Sequence, residues 1–391
     1  MAHESRPIRL ILLLFIVTRI ALAAVGTFAN TRLPANEGDE FKHLLDGGPA
    51  LDMWYRWDAG FYATIATYGY DWFNEQRPAE DMAFMPVYPA AVRAVMAASG
   101  CGFSPYLSTC ATVGGLVVSN LALLAGCFLL YDLTRRRYDH GTGVRAVFLL
   151  LIAPSAIFFS GVYTEASFLL LALLVFWLLD RQRFGLAVLV GCVAALTRSV
   201  GVALVPALLW YVWAQLPPAP LGQRIGQLVR SWQTYAALLP VVIFAGYILY
   251  AGLTTGEPLA YFDTYEVIWG RDVNRAPWDT LLAYFSGEPV SWFGWRLSWL
   301  DLGTFAGYVA LSMIAIRTAP VWGLFALAAI LIPFLSGTLS AMPRFGAVAF
   351  PIYVILAAWT HIRWRAALVY TASIALAILF IIRFVTWNWI A

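Results

Sequence analysis

Apolar residues in this chain occur in solid blocks that are separated by short polar or arginine-bearing connections. Each block runs for roughly 16–22 residues, which is long enough for a helix to cross a hydrocarbon core about 30 Å thick. The pattern predicts an all-α polytopic membrane protein with about eleven transmembrane helices. The predicted spans are residues 8–28, 108–131, 145–162, 165–180, 184–200, 201–215, 236–252, 301–317, 320–339, 345–360 and 366–386.

Two long polar segments interrupt these blocks, at residues 29–107 and 253–300. The first contains two apolar runs, Phe61 to Tyr68 and Met85 to Met96, which are too short to span and predict helices lying along the membrane interface. Both segments are rich in Trp and Tyr, which favour the headgroup level, so we interpret most of these aromatics as belt and packing residues. No repeat or low-complexity stretch divides residues 1–391, and we expect a single membrane domain.

Arginines indicate which way the chain crosses the membrane. They concentrate in alternate connections, and arginine-rich short loops face the cytoplasm. These residues are Arg6, Arg9, Arg135, Arg136, Arg137, Arg181, Arg183, Arg224, Arg230, Arg363 and Arg365. The opposite, outer face then receives both long segments, together with the turns around Tyr163, Arg198 and Arg344.

Composition excludes several classes of function. The chain is 61% hydrophobic and only 12% charged, with a net charge of +3 and no basic tract, which argues against nucleic acid binding. Neither a Walker loop nor a G-x-G-x-x-G motif is present, which argues against a sugar-nucleotide donor bound in a Rossmann domain. The histidines and cysteines match no metal-binding spacing. Cys101 and Cys110 would pair in an oxidising compartment, and unpaired apolar cysteines are the alternative.

Asp58 is the first candidate for chemistry. It lies in WDAGFYATIATYGY beside apolar neighbours at a membrane face, where an ionisable group is costly and function is the default hypothesis. A carboxylate there can take the proton of an acceptor hydroxyl as a general base. The alternative is structural, with Asp58 pairing with Arg56 or capping a helix that begins near Ala59. We expect most other acids of this segment to be solvated: Asp39, Glu40, Asp46, Asp52, Asp71, Glu75, Glu80 and Asp81.

Three more charged residues stand at the ends of apolar blocks. Glu165 would hold a sugar hydroxyl or pair with an arginine, or it is a helix-terminal charge with Thr164 as the cap. Arg198 needs a partner, for which a lipid phosphate or Glu165 would serve. Arg344 is the best candidate for a phosphate ligand, because a departing phosphate needs a bidentate cation. For both arginines the alternative is snorkelling to headgroups.

Four blocks resemble, in order, those of the PIG-V family, the GPI mannosyltransferase II type. They read RWDAGFYATIATYGY with AFMPVYP, then APSAIFFSGVYTEASFLL, ALTRSVG and MPRFGAVAFPIY, over roughly residues 54–353. The resemblance implies a GT-C-type glycosyltransferase fold. The arginine-rich composition and compact loops suggest a bacterial member, in the plasma membrane with its active site facing outside.

The resemblance also implies a reaction. Such enzymes transfer mannose, with inversion, from a polyprenyl-phosphate-mannose donor to a hydroxyl of a glycan or glycolipid acceptor on the non-cytoplasmic face. The family's base corresponds to Asp58, its second-block acid to Glu165, and its two arginines to Arg198 and Arg344. We expect further substrate contacts from Tyr163, Trp57 and Tyr62. The scheme demands no cofactor, and a divalent cation bridging Asp58 to the phosphate is left open.

One departure from the family and three alternatives stay open. Family members often carry His three positions after the aspartate, whereas this chain has Phe61, which leaves the acceptor undecided. The first rival function is a transporter or flippase of a polyprenyl-linked lipid. The second is a GT-C transferase of another sugar, such as arabinose, because sugar choice rests on a few pocket hydrogen bonds. The third is a non-catalytic assembly subunit.

Overall fold

A computed structural model describes residues 5–36, 38–42, 44–70, 80–101 and 107–390. Within these ranges the chain is helical, and the only β pairing is one isolated bridge between Ser291 and Ser298. The predicted all-α architecture is therefore confirmed. His43, Asp71 and Glu75 lie outside the described residues.

Four single helices are long and apolar enough to cross a membrane. They are Ser5–Arg32, Leu107–Arg137, Trp299–Thr318 and Arg363–Val385. Two further pairs pass the same test together but are sharply bent, by 86° between Leu239–Thr255 and Ala260–Trp269 and by 88° between Met342–Val348 and Pro351–Trp359. Length and composition thus support four spans in the described chain, or six with the bent pairs, so the predicted count of eleven is not confirmed.

The remaining predicted spans are shorter helices, because breaks divide their apolar blocks. The block 145–162, for example, splits at Pro154 into His140–Leu151 and Ala156–Ser160, since proline removes a helix hydrogen bond. The other α-helices are Pro49–Asp52, Ala59–Tyr68, Val87–Ala98, Glu165–Asp180, Phe184–Ala195, Leu204–Gln215, Leu221–Arg230, Trp232–Ala237, Pro277–Leu282, Pro320–Phe334 and Met342–Phe345. Short 3₁₀ turns cover Asp39–Lys42, Glu80–Ala83, Ser199–Ala203, Ala283–Phe285 and Gly346–Val348.

Two large apolar cores hold most of these helices together. The larger surrounds Glu165–Asp180, which packs against Leu107–Arg137, and includes the buried rings of Phe176, Phe325 and Phe350. The second joins the segment after the first helix to the C-terminal helix through Tyr62, Tyr88, Tyr163 and Phe384. The predicted interfacial runs form the helices Ala59–Tyr68 and Val87–Ala98, which pack against Leu107–Arg137 in this second core.

Two expectations about the first polar segment need correction. Glu40 and Asp46 are exposed, as predicted, but Asp52 and Asp81 are buried at 1% exposure. Asp52 is buried because its carboxylate pairs with Arg56 at 2.5 Å and accepts the backbone N–H groups of Leu44 and Leu45 at 2.8 and 3.1 Å. At the end of the same segment, Cys101 and Cys110 form a disulfide, which settles the pairing that the sequence left open.

Candidate active site

Asp58 stands at the start of the helix Ala59–Tyr68 but does not cap it. The preceding residue, Trp57, has a left-handed backbone at φ 55°. This conformation changes the direction of the chain between the buried Asp52–Arg56 pair and Asp58. The Asp58 carboxylate instead accepts a 2.6 Å hydrogen bond from Nη1 of Arg344. Both structural alternatives for Asp58, a pair with Arg56 and a helix cap, are therefore wrong.

Glu165 opens the helix Glu165–Asp180 and is completely buried. Its Oε1 accepts from Arg198 Nη1 and from Arg344 Nε, both at 2.6 Å. Thr164 does not cap the helix; its hydroxyl accepts a 2.7 Å hydrogen bond from Arg198. The partner that Arg198 needs is thus Glu165, and neither Arg198 nor Arg344 snorkels, since each is only 7% exposed.

Contacts from two other parts of the chain hold Arg344 and its turn in place. Asp301, at the start of Trp299–Thr318, accepts the Met342 N–H at 3.1 Å and so fixes the first turn of Met342–Phe345. The guanidinium of Arg344 lies over the ring of Tyr163, 4.6 Å from its centroid. Arg344 therefore bridges Asp58 and Glu165, which are 107 positions apart in sequence, from a rigid turn.

A glycine allows the turn that carries Arg198 to approach its neighbour. Arg198 precedes the 3₁₀ turn Ser199–Ala203, and a Cβ on Gly201 would come within 2.5 Å of the Ala195 backbone. Only glycine fits so close an approach between two backbones. The turn therefore packs directly on the end of Phe184–Ala195 and aims Arg198 at Glu165.

The four charges form one buried network that is neutral overall. Two carboxylates, Asp58 and Glu165, share two guanidiniums, Arg198 and Arg344. Buried ion pairs contribute little net stability but are costly to break, so such a network is more informative about function than about folding. Asp58 is its most accessible member, with 16% of its side-chain surface exposed.

The network forms one wall of a cavity of about 270 Å³. Asp58, Arg198 and Arg344 line it, together with Tyr62, whose hydroxyl lies 3.4 Å from Thr164 Oγ1. Aromatic side chains also line it, namely Phe84, Tyr261, Tyr265, Trp269, Trp295 and Trp389. Another part of the wall is aliphatic and includes Val200, Ile332 and Leu335. A concave, mostly apolar site with a few convergent charged groups is typical of a ligand-binding pocket.

Three of the expected substrate-binding residues lie behind this wall. Glu165 and Tyr163 are completely buried, and the Tyr163 hydroxyl donates to the Arg56 carbonyl at 2.9 Å. Trp57 packs against Trp389, with 5.5 Å between ring centroids. These positions make Glu165 and Tyr163 supports of Arg344, whereas Tyr62 reaches the cavity. Burial raises the pKa of the Tyr62 and Tyr163 hydroxyls, so both are neutral.

Arg271 is a cavity residue that sequence reasoning missed. It follows the helix Ala260–Trp269 after Gly270, which takes the left-handed conformation at φ 61°. Arg271 is 4% exposed and lines the cavity. Burial lowers its pKa to about 10, which leaves it charged at neutral pH. In the sequence, Arg271 lies in a polar segment together with Arg275 and Arg296. Because it is not inside or at the end of a predicted span, nothing distinguishes it from these two arginines.

Metal ligation has no obvious site here. Among the residues that the structure describes, no three His, Cys, Asp or Glu side chains cluster closely enough to hold a metal ion. The Asp58 oxygen nearest the network is already bonded to Arg344. Among the described residues that line the cavity, Asp58 is the one carboxylate that a divalent cation could bind.

Comparison with known proteins gives a consistent assignment. Residues 5–293 match the family described as Mannosyltransferase (PIG-V). GPI mannosyltransferase 2 of Cryptococcus neoformans var. neoformans serotype D is 29% identical over 201 residues, covering 50% of this chain and 44% of the relative. GPI mannosyltransferase 2 of Drosophila pseudoobscura pseudoobscura is 25% identical over 256 residues, covering 60% and 54%. The chain thus spans about half the length of the curated relatives it matches.

Two solved structures are more distantly similar. ArnT from Cupriavidus metallidurans bound to undecaprenyl phosphate is 14% identical with a TM-score of 0.47, covering 95% of this chain and 76% of that one. Oligosaccharyltransferase AglB from Archaeoglobus fulgidus, in complex with an inhibitory peptide and a dolichol-phosphate, is 12% identical with a TM-score of 0.45, covering 95% and 55%.

The family match contains Asp58, Glu165, Arg198 and Arg271 and ends before Arg344. It covers most of the chain, and the GT-C-type class expected from the resemblance agrees with the helical architecture. The chain is an integral membrane protein that belongs to the PIG-V mannosyltransferase family.

Proposed function

We propose that this protein transfers mannose, with inversion, from a polyprenyl-phosphate-mannose donor to a hydroxyl of a glycan or glycolipid acceptor. The observation that carries the proposal is the Asp58–Arg344–Glu165–Arg198 network on the wall of an apolar and aromatic cavity. It combines an accessible carboxylate with guanidiniums that are held in place before any ligand arrives. Such prior orientation stabilises a transition state without reorganisation during the reaction.

The proposed step is a single displacement. Asp58 takes the proton from the acceptor hydroxyl as the oxygen forms a bond to the anomeric carbon of mannose. The bond from that carbon to the phosphate oxygen breaks, and its electron pair leaves with the polyprenyl phosphate. Arg344 and Arg198 lie beside the developing negative charge. Holding acceptor and donor together in this cavity supplies the orientation that a reaction in solution lacks.

The cavity walls match the two ends of such a donor. Aliphatic residues, including Val200, Ile332 and Leu335, suit the first isoprene units of the lipid. On another part of the wall, the indole N–H of Trp389 is buried without an acceptor among the described residues, as is that of neighbouring Trp57. An unsatisfied buried donor costs about 1–3 kcal/mol, so a sugar hydroxyl that accepts from the indole of Trp389, which lines the cavity, would be favoured there.

Two features support catalysis on the non-cytoplasmic side of the membrane. The disulfide Cys101–Cys110 lies at the end of the segment that carries Asp58, and disulfides persist in oxidising compartments. At the other end of Leu107–Arg137, roughly 40 Å away at 1.5 Å per residue, Asp132 pairs with Arg135, Arg136 and Arg181. This separation of a disulfide from an arginine cluster fits the positive-inside rule.

The experiment is a transfer assay with polyprenyl-phosphate-[14C]mannose in proteoliposomes of the purified protein. We expect label to move from the donor to glycan or glycolipid acceptors, and Asp58→Asn to stop it. Asp46→Asn is the matched control, because Asp46 is an exposed acid of the same segment. If the donor lipid crosses the bilayer and no label reaches any acceptor, the protein is a flippase and the proposal fails. Transfer of another sugar in preference to mannose would correct the substrate.

A further inference from the structure

Three arginines line the cavity, but only two of them are neutralised by carboxylates. Arg198 and Arg344 share Asp58 and Glu165, as described above. Arg271 has no carboxylate within ion-pair distance among the residues that the structure describes. A buried charge without a counter-ion is expensive, and in a cavity wall it indicates a missing anion.

The bonds that Arg271 does make orient it without neutralising it. Nη1 donates to Ser336 Oγ at 2.7 Å and to the Pro333 carbonyl at 3.5 Å, and Nη2 donates to the Ser340 carbonyl at 2.7 Å. All three acceptors are uncharged, and they belong to the last turn of Pro320–Phe334 and to the connection from it to Met342–Phe345. A guanidinium has five N–H donors, so these bonds leave two for a ligand.

Backbone packing keeps this arrangement rigid. Gly337, at φ 83°, lies so close to the loop after Arg271 that a Cβ there would overlap the Asp272 carbonyl oxygen. The guanidinium also stacks over the Phe345 ring, 4.4 Å from its centroid. Arg271 is therefore held in place by both the loop that carries it and the turn that carries Arg344.

The Phe345 ring relates Arg271 to the catalytic network. The guanidinium carbons of Arg198 and Arg344 lie 5.5 and 5.6 Å from the same ring centroid. All three cations thus surround one aromatic side chain that also lines the cavity. Aliphatic lining residues lie next to Arg271 in sequence, at Val273, or next to its acceptors, at Ile332 and Leu335.

We propose that Arg271 is the principal ligand of the lipid phosphate, both in the donor and in the polyprenyl phosphate that leaves. This inference rests on the proposed function and changes one part of it. Arg344 then serves mainly to hold Asp58 in position, and Arg271 supplies the unbalanced positive charge. Because Arg271 and the neutral four-residue network together carry one net positive charge, the phosphodiester donor, with one negative charge, would neutralise them.

The charge balance has a consequence for the product. The polyprenyl phosphate monoester carries about −1.5 to −2 charges at pH 7, more than the phosphodiester donor. It should therefore bind Arg271 more tightly than the donor does and inhibit transfer competitively. Product release is then a step that the Arg271 side chain controls.

The test measures binding of farnesyl phosphate, a short soluble prenyl phosphate, and of farnesol by intrinsic tryptophan fluorescence in detergent. Arg271→Gln should weaken farnesyl phosphate binding about tenfold to a hundredfold, as expected for lost charge-assisted hydrogen bonds. Farnesol binding should not change. Arg275→Gln is the matched control, since Arg275 is an exposed arginine of the same loop, and it should stay within twofold.

Several outcomes would overturn the proposal. Unchanged farnesyl phosphate binding in Arg271→Gln would do so, and so would equal losses for farnesyl phosphate and farnesol, which would mean a packing defect. If Arg271→Gln does not fold, Arg271→Lys is the substitute, because it retains the positive charge without the planar guanidinium. It should show an intermediate loss of farnesyl phosphate affinity, and wild-type affinity would contradict the assignment. Inorganic phosphate competing as well as farnesyl phosphate would show a free-anion site instead.

Transfer assays separate this inference from the function it rests on. If wild-type protein transfers no mannose from any donor, the proposed function fails whatever Arg271 does. If wild-type protein transfers mannose and Arg271→Gln leaves the donor KM unchanged, the function stands and this inference fails. Both the function and this inference are supported if Arg271→Gln raises the donor KM at least tenfold while Arg275→Gln leaves the donor KM unchanged.

Discussion

The same segment contributes to two buried charge networks, one through Asp52 and Arg56 and the other through Asp58, and the two networks are built differently. Around Arg56, all five N–H donors have acceptors within the chain: both Asp52 Oδ2 and its carbonyl, Asn30 Oδ1, and the carbonyls of Tyr55 and Val385. Around Asp58, the network opens onto the cavity. Only two of the five N–H donors of Arg344 bond to carboxylates.

The difference shows that burial of charge alone does not identify an active site. The Asp52–Arg56 pair joins the first helix, the first segment and the C-terminal helix and is closed to solvent. The Asp58–Arg344 pair has spare hydrogen-bonding capacity facing a space that a ligand can enter. We therefore interpret the first network as structural and the second as functional, and the two should respond oppositely to substitution.

The largest expected effect on stability comes from the closed network. Asp52→Asn leaves the Arg56 guanidinium buried without its counter-ion, which should lower the free energy of unfolding by about 3–5 kcal/mol. Transfer per folded molecule should change little. Thermal unfolding in detergent measures the loss of stability, and Asp46→Asn, at an exposed acid, is the control. A stable Asp52→Asn protein that has lost transfer would remove the distinction between the networks.

The next largest effect concerns the open network. Arg344→Lys keeps the positive charge, but an ammonium cannot span Glu165 and Asp58 as the planar fork does. We expect turnover to fall about a hundredfold, because misplacing the base disrupts the reacting geometry, while stability changes by less than in Asp52→Asn. Steady-state transfer kinetics measure this, and wild-type turnover in Arg344→Lys would show that the bridge is dispensable.

A smaller effect is expected from the disulfide. Replacing Cys101 and Cys110 together by Ser should lower the free energy of unfolding by about 2.5–3 kcal/mol, the amount that loop-closure entropy gives for a loop this short. Neither cysteine lines the cavity, so transfer per folded molecule should stay within twofold. Chemical denaturation of the oxidised and double-Ser proteins checks the first value. No difference between them would mean that the bridge is absent in the membrane-inserted protein.

The smallest expected effect is that of chelation. The proposed displacement stabilises the departing phosphate with guanidiniums rather than with a metal ion, so excess EDTA should leave the transfer rate unchanged. The control adds Mg²⁺ or Mn²⁺ back to chelated proteoliposomes. Loss of transfer with EDTA and recovery with one cation would establish a metal bound at Asp58 and revise the mechanism.

Parts of the fold and site were predictable because charges in apolar blocks are conspicuous. Asp58, Glu165, Arg198 and Arg344 were selected on that ground, and the structure brings them together. Their pairing was not readable, since the Arg344 and Asp58 partners are 286 positions apart. Arg271 was missed and Asp52 was wrongly expected to be solvated, because in a polar segment the sequence does not distinguish a buried charge from a solvated one. Helix breaks within apolar blocks are likewise the reason why the observed helix lengths do not confirm the predicted span count.

The most direct test of the account combines transfer and binding in Asp58→Asn. Removing this carboxylate should lower the single-turnover transfer rate about a hundredfold to ten-thousandfold, the range expected for a lost general base. It also raises the net positive charge of the cavity wall, so farnesyl phosphate should bind at least as tightly as in wild type. Transfer at the wild-type rate, or loss of transfer together with loss of farnesyl phosphate binding, would contradict the role of Asp58 as the base.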